Sequence, residues 1–486
     1  MRPVRCADRF SGLSQDDFLI LNLFYTQTSR ESLKQCKLKF RRNCSKADAC
    51  TISEVANMKR GLYDVAIIGA GASGATLARE LTRRGTSVVL LEAGGNPETL
   101  GLFNAALKWY DRSPVLSRPL RSKEGVIIWR VFVDGGGTIV SCANGVRCLE
   151  RELSEYGVSL EAEFNEVERE LGVSPFDEDL LSEGSKRIRA AAEKTGIRME
   201  RMPKFIHVKK CVRCGRCTYG CPYGAKWSSL EYLKEAVGNG AEIINRTRVK
   251  RIVIENGTAR GVTCAGPDGT VDIRADRVVV AAGGIGTPVI LQQSGIQSAG
   301  KRLFLDLFVT TYGVTDGCTL ADGPPMTLVN RDYHADRGFI LSPYINRARL
   351  ARLVECGFRG FPPDERNLVG IMTKIRDDEI GEVYPDGSVS KAVTDSDRKK
   401  LSEGIALSKQ IVRTMGVKEK DIFISRIQGA HPGGTAAIGE VVDNNLETEA
   451  KNLYVCDASV LPRAPGLPPI LTLVALAKRL GDHLSR

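Results

Sequence analysis

The sequence predicts an α/β fold built around a Rossmann-like dinucleotide-binding half, and three observations carry that expectation. The run Tyr63-Asp-Val-Ala-Ile-Ile68 is short, apolar and β-branched, as a strand buried on both faces requires. It leads straight into Gly69-Ala-Gly71-Ala-Ser73-Gly74, the G-x-G-x-x-G spacing, at the point where a strand should hand over to a helix. A helix-period segment (Ala75, Leu77, Ala78, Leu81) follows, stops at Gly85, and gives way to a second strand, Ser87-Val-Val-Leu-Leu-Glu92, with an acidic end.

Each element has a physical reason. The glycines let the backbone approach a pyrophosphate at the helix N-terminus, where free N–H groups and the helix dipole favour an anion. Glu92 is placed to accept the ribose hydroxyls. Further on, glycines at 135–137 and 283–286 would let backbone lie against a flat ring system. Between them, Val249 to Gly283 reads as a β-meander with turns at Asn256-Gly257 and Asp268-Gly269. Ordinary turns would explain any one of these glycines; their clustering beside apolar strands at three places argues for a bound cofactor. The periodicities suit FAD and NAD alike.

Size and composition narrow the class. With 486 residues and 42% hydrophobic content, the chain can bury a large core and reads as one composite enzyme of two lobes. Lys and Arg exceed Asp and Glu by 69 to 58, a net charge of +11, but the two signs interleave, so a solvated basic surface is expected rather than a nucleic-acid site. The apolar stretch Phe18 to Tyr25 is interrupted by Asn22 and too short to span a bilayer, so no transmembrane segment is expected. Residues 1–57 carry ten basic and six acidic residues and four of the fourteen cysteines without a clear period; they read as a flexible extension or a misassigned start ahead of Met58.

The run Cys211-Val-Arg-Cys214-Gly-Arg-Cys217-Thr-Tyr-Gly-Cys221-Pro222 has the C-x2-C-x2-C-x3-C-P spacing of bacterial ferredoxins. Two-residue gaps let successive thiolates converge, and Gly215, Gly220 and Pro222 supply the turns. The expectation is a 4Fe-4S or 3Fe-4S cluster, with structural zinc as the rival, because zinc sites usually split into two separated C-x2-C pairs. Cys221 completes the cluster, or a remote cysteine such as Cys142 or Cys148 replaces it. Such a run in a long chain points to a reducing, cytoplasmic setting and to free thiols elsewhere.

From about Tyr63 to its end, the chain resembles the glucose–methanol–choline family of FAD-dependent oxidoreductases at four places in order. These are the fingerprint with Glu92-Ala-Gly94-Gly95, the stretch Gly135-Gly136-Gly137-Thr138 to Arg147, the stretch Ala281 to Gly295, and a closing part. That closing part contains His431-Pro-Gly-Gly-Thr435, Asn452-Leu-Tyr-Val-Cys-Asp457-Ala-Ser459 and Leu471-Thr472. The resemblance implies a discontinuous Rossmann-like FAD-binding domain (58-150, 195-300 and 426-486) and an α+β substrate domain with an antiparallel sheet (151-194 and 301-425). It implies FAD held by Gly69, Gly71, Ser73, Gly74, Glu92, Gly136, Gly137, Thr138, Val249, Asp457 and Thr472. A cysteine-rich insert is similar to what one branch of the family carries.

The resemblance also implies that His431 takes the hydroxyl proton of a CH–OH group while hydride leaves for the flavin; its side chain suits a general base near neutral pH. His334 and His483 read as surface residues; His207, four residues before the cysteine run, reads as a surface residue or one beside the cluster, with ligation of the cluster as the alternative. The family's second polar partner, a histidine or asparagine about forty residues later, falls here on Pro468, which can neither donate nor accept a proton. His431 then acts alone, Asn144 moves in, or the chemistry differs. The expected function is an alcohol or sugar dehydrogenase that passes electrons through the cluster to an acceptor protein or quinone. The alternatives are a reductase fed by ferredoxin and a flavoprotein with a structural zinc loop. Met326, Phe339, Tyr344 and Phe358 are candidate pocket residues, though such side chains more often fill cores.

Overall fold

The computed structural model describes residues 62–111, 120–266 and 269–486; the sequence's extension at 1–57 lies outside the described residues. Strand β1 (Tyr63–Ile68) buries every residue but Asp64 and is followed by helix α1 (Ala72–Thr82) and strand β2 (Val88–Leu91). The same sheet holds β3 (Glu242–Ile244), β4 (Arg248–Glu255), β5 (Thr258–Gly266) and the long β6 (Gly269–Val280). The parallel order is β3–β2–β1–β6, with strand Leu453–Val455 on the far side of β6. The other half of β6 pairs antiparallel with β5, and β5 with β4, which is the expected meander. Helix α2 (Gly283–Gln293) leaves the parallel end of β6. The β1–α1–β2 unit forms as its pattern predicts because a parallel strand covered on both faces needs a continuous apolar run.

A second sheet is mainly antiparallel. It contains β7 (Leu307–Val314) and β8 (Phe339–Pro343), and after helix α3 (Arg349–Cys356) it adds β9 (Leu368–Ile375). Helix α4 (Asp395–Thr414) precedes β10 (Ile422–Ile424) and β11 (Gln428–Gly429). The order is β8–β9–β7–β11, extended by the two-residue strand Ile127–Ile128, with β10 also on β7. Alternation on β9 decides its chemistry. Thr373 meets Ser408 and would clash with any side chain at Gly404 of α4, so Met372 and Lys374 face the other way. Lys374 stands opposite Phe308 of β7.

Helix α4 starts with a capping box, Thr394 and Asp397 exchanging bonds with each other's backbone N–H. The last helix, α5 (Ile470–Leu484), packs on α1 so tightly that Gly481 sits under Glu80. Short pairs such as Glu200–Arg201 with Leu328–Val329, a two-stranded sheet of their own, tie the segment before the cysteine run to the chain between β7 and β8. Residues 62–486 make one compact unit. No helix among the described residues is long and apolar enough to cross a membrane, and the ten described cysteines are all free thiols.

Candidate functional site

A cavity of about 640 Å³ runs between the two sheets, from the β1–α1 turn at one end to His431 at the other. At the first end, Gly69 needs its left-handed φ of +105° and has no room for a side chain, since a Cβ would lie 2.4 Å from the Ala281 carbonyl. A Cβ on Gly74 would lie 2.0 Å from the Gly69 carbonyl, so this glycine sets how closely α1 meets β1. A Cβ on Gly71 would meet no atom within 4 Å and would stand in the cavity. No side chain caps the N-terminus of α1, which leaves its N–H groups to a ligand. This is a cradle for a dinucleotide phosphate.

Glu92 lines the same end, its carboxylate accepting from the backbone N–H groups of Ala70 (2.9 Å) and Gly94 (2.7 Å). Burial raises its pKa against those two bonds. Asp457 accepts from Gly283 N (2.8 Å), Thr287 Oγ1 and Ser459 N (2.7 Å), joining the start of α2 to the segment after strand Leu453–Val455. Gly136, Gly137, Thr138 and Val249 complete this wall. Gly74 and Thr472 do not line it. Gly74 is packed beneath the turn, and the Thr472 hydroxyl is bonded to the backbone of Cys148.

At the other end, His431 shows 27% of its side chain to the cavity and anchors its Nδ1 between two buried charges. Asp306 Oδ2 is 3.0 Å away and Lys374 Nζ 2.8 Å, and these two pair with each other at 2.9 Å. Burial lowers the histidine's pKa, the Lys374 ammonium lowers it further, and Asp306 opposes both. Burial alone would raise the Asp306 carboxyl, but Lys374 and His431 hold it below its ordinary value. Asp306 Oδ1 accepts from Gly466 N at 2.8 Å. His431 Nε2 has no partner among the described residues and faces the cavity.

Sequence reasoning missed Asp306 and Lys374, because neither belongs to a motif; a buried lysine on an apolar strand, Leu368–Ile375, was the available signal. Pro468 and Asn144 both line the cavity. Asn144 accepts from Lys204 Nζ (2.7 Å) and donates to Met326 Sδ (3.3 Å). Of the proposed pocket residues, Met326 and Tyr344 line the cavity. Phe339 is instead fully buried in the core, and Phe358 is 89% exposed. His334, expected at the surface, is half-buried and bonded to the Pro465 carbonyl at 2.7 Å.

The cysteine loop separates this cavity from a smaller one. Cys211, Cys214, Cys217 and Cys221 all line the small cavity with Ile206, Ala225 and Lys226, while Thr218 and Tyr219, from the same loop, line the large one. Left-handed Arg213, Gly215 and Gly220 give the loop its turns. Lys226 Nζ donates to the carbonyls of Thr138, Ile139, Ser141 and Cys217 at 2.6 to 3.0 Å, tying the cysteine loop to the 135–141 stretch. Cys142 faces the large cavity and Cys148 is buried against Thr472. In this geometry no group of three or more His, Cys, Asp or Glu among the described residues is already gathered to hold a metal ion.

Comparisons with known proteins agree with this geometry. Two GMC oxidoreductase profiles, N- and C-terminal, match residues 64–308 and 382–477. An uncharacterized protein of Methanocaldococcus jannaschii is 32% identical over 86% of this chain and 98% of its own length. A long-chain-alcohol oxidase of Arabidopsis thaliana is 25% identical over 87% of this chain and 68% of its own. The crystal structure of pyridoxine 4-oxidase from Mesorbium loti shares the fold with a TM-score of 0.66 at 16% identity, covering 87% of this chain and 99% of its own. The cradle at Gly71, the uncapped helix and a cavity reaching from them to His431 fit FAD, and the chain belongs to the GMC oxidoreductase family of FAD-dependent enzymes.

Proposed function

We propose that this protein is an FAD-dependent dehydrogenase of CH–OH groups whose electrons leave through an iron–sulfur cluster held by Cys211, Cys214, Cys217 and Cys221. The observation that carries it is the shared loop: four thiols line one cavity while the residues between them, Thr218 and Tyr219, wall the cavity that ends at His431. Gly69, Gly71, Ser73, Glu92, Gly136, Gly137, Thr138, Val249 and Asp457 hold FAD, which when bound accepts a hydride from the substrate carbon. The four thiolates would supply one-electron chemistry beside it.

His431 is the base. With its Nδ1 proton donated to Asp306, the Nε2 lone pair faces the cavity and takes the hydroxyl proton of the donor. Asp306 also stabilises the imidazolium that forms. Tyr344 is a polar group on the wall that can orient the substrate against Phe308, Met326 and Met372, while Asn144 and Asn346 line the same cavity already bonded to Lys204 and to Glu355. The opposite direction has its own observation: Lys374 donating to Nδ1 leaves the proton on Nε2, which suits protonation of a carbonyl during reduction.

The test is anaerobic purification followed by flavin, iron and acid-labile sulfide analysis, with turnover compared between artificial acceptors and oxygen. Iron and sulfide with dye-linked alcohol oxidation and slow oxygen use is the expected result. Zinc without iron, or fast oxygen use with no dye turnover, would sink the reading.

A further inference from the structure

We propose that the rim of the cysteine loop, formed by Lys209, Lys210 and Arg216 around Val212 and Tyr223, is a docking surface for an acidic one-electron carrier protein. The proposal rests on the reading of Cys211–Cys221 as a redox cluster.

Charge is the first observation. From 201 to 230 the chain contains Arg201, Lys204, Lys209, Lys210, Arg213, Arg216 and Lys226 and not one Asp or Glu. Seven cations without one acid is a dense run of one sign, and it is the stretch that carries the cysteines.

The second observation is how those cations divide. The inner ones are used inside the protein: Lys204 bonds to the carbonyls of Cys142 and Pro325, Lys226 holds four carbonyls, and Arg213 pairs with Asp322 at 3.5 Å. Arg347, from outside the stretch, bonds to the Cys214 carbonyl and pairs with Glu365. Arg201 reaches the Phe176 carbonyl at 3.5 Å. The other three, Lys209, Lys210 and Arg216, are exposed and make no salt bridge among the described residues, with Glu231 as the acidic neighbour of Lys210.

The third observation is apolar. Val212 is 57% exposed and Tyr223 51% exposed, both within two residues of a cysteine, and Pro222 beside them is also exposed. An apolar centre with a ring of one charge is the composition of a transient protein interface, where the ring steers the encounter and the centre gives contact. Oxidation of CH–OH to C=O releases two electrons and two protons. A carrier that takes one electron must therefore visit twice per turnover, which favours fast, salt-sensitive association over tight binding.

The test uses the full-length holoenzyme and two one-electron carriers of opposite charge, an acidic plastocyanin and a basic c-type cytochrome. Binding is followed by titration calorimetry, and electron transfer by carrier absorbance. The acidic carrier is expected to bind at least about tenfold more weakly when salt rises from about 20 to about 200 mM. The K209E/K210E/R216E variant is expected to lose about tenfold in affinity for it and to gain for the basic carrier, while K209Q/K210Q/R216Q loses less. Iron content, flavin content and turnover with a small dye should not change. Acidic-carrier binding that ignores both salt and the charge-reversal variant, in protein with iron and dye turnover intact, would overturn the docking surface alone. Protein lacking iron and sulfide would remove the cluster and the docking proposal with it.

Discussion

Asp306 holds one carboxylate oxygen 3.0 Å from His431 Nδ1 while standing at a left-handed backbone position, φ +51°. A side-chain-bearing residue pays for that conformation with strain of about 1 kcal/mol or more. The surroundings over-determine it: Oδ1 takes the Gly466 N–H, Oδ2 takes Lys374, and the side chain has no exposed surface. The strained residue is the one that orients His431.

The pH dependence follows from the signs. Burial and Lys374 both depress the His431 pKa, so the base form is present down to a pH below the ordinary histidine value of 6.5. Substrate oxidation should therefore lose kcat/KM on the acid side only below that pH. In Lys374→Met one depressing influence is gone, and the acid limb moves up. In Asp306→Asn the opposing charge is gone, the limb moves down, and kcat falls about 10²-fold because the tautomer is no longer held. Profiles of kcat/KM against pH for the three proteins check this; identical limbs would exclude the coupling.

Removing the base outright should separate chemistry from binding. His431→Ala is expected to lower kcat about 10²- to 10⁴-fold. His431 lies at the end of the cavity away from the β1–α1 cradle, so flavin content should be unchanged. Rapid-mixing measurement of flavin bleaching by substrate reads the chemical step directly.

The two glycines of the cradle should fail differently. Gly71→Val puts its side chain into open cavity, so the protein should fold and be purified without flavin. Gly74→Ala drives a methyl group to within 2.0 Å of the Gly69 carbonyl, so α1 must move and stability should fall by about 1–3 kcal/mol. Thermal melts of both apoproteins, with flavin absorbance of the purified forms, distinguish the two outcomes.

Lys226→Met removes the ammonium from four carbonyls, of which Thr138 keeps the Ser141 hydroxyl as a donor. Stability should fall by about 1–3 kcal/mol. The cysteine loop should also loosen from the 135–141 stretch, which Ellman's reagent would report as faster labelling of the buried Cys217.

The sequence by itself determined the β1–α1–β2 unit, the meander and the glycine cradle, because these depend on periodicity and on the absence of side chains at particular positions. It also marked the four cysteines by spacing, and His431 through its resemblance to the family. Phe339 and Phe358, alike in sequence, separated into core and surface only when packing was decided, and Gly74 and Thr472 turned inward for the same reason. Only the tertiary structure brought Asp306, Lys374 and His431 together, from three segments 125 residues apart at the extremes. It did so because β7 and β9 pair with Lys374 opposite Phe308, and because α4 covers the other face of β9, leaving the lysine only the cavity side. Likewise, spacing could gather four thiols, but only packing set Thr218 and Tyr219 of the same loop against the cavity that His431 lines. Long-range pairing selects which of many buried polar groups meet, and local pattern carries no record of that choice.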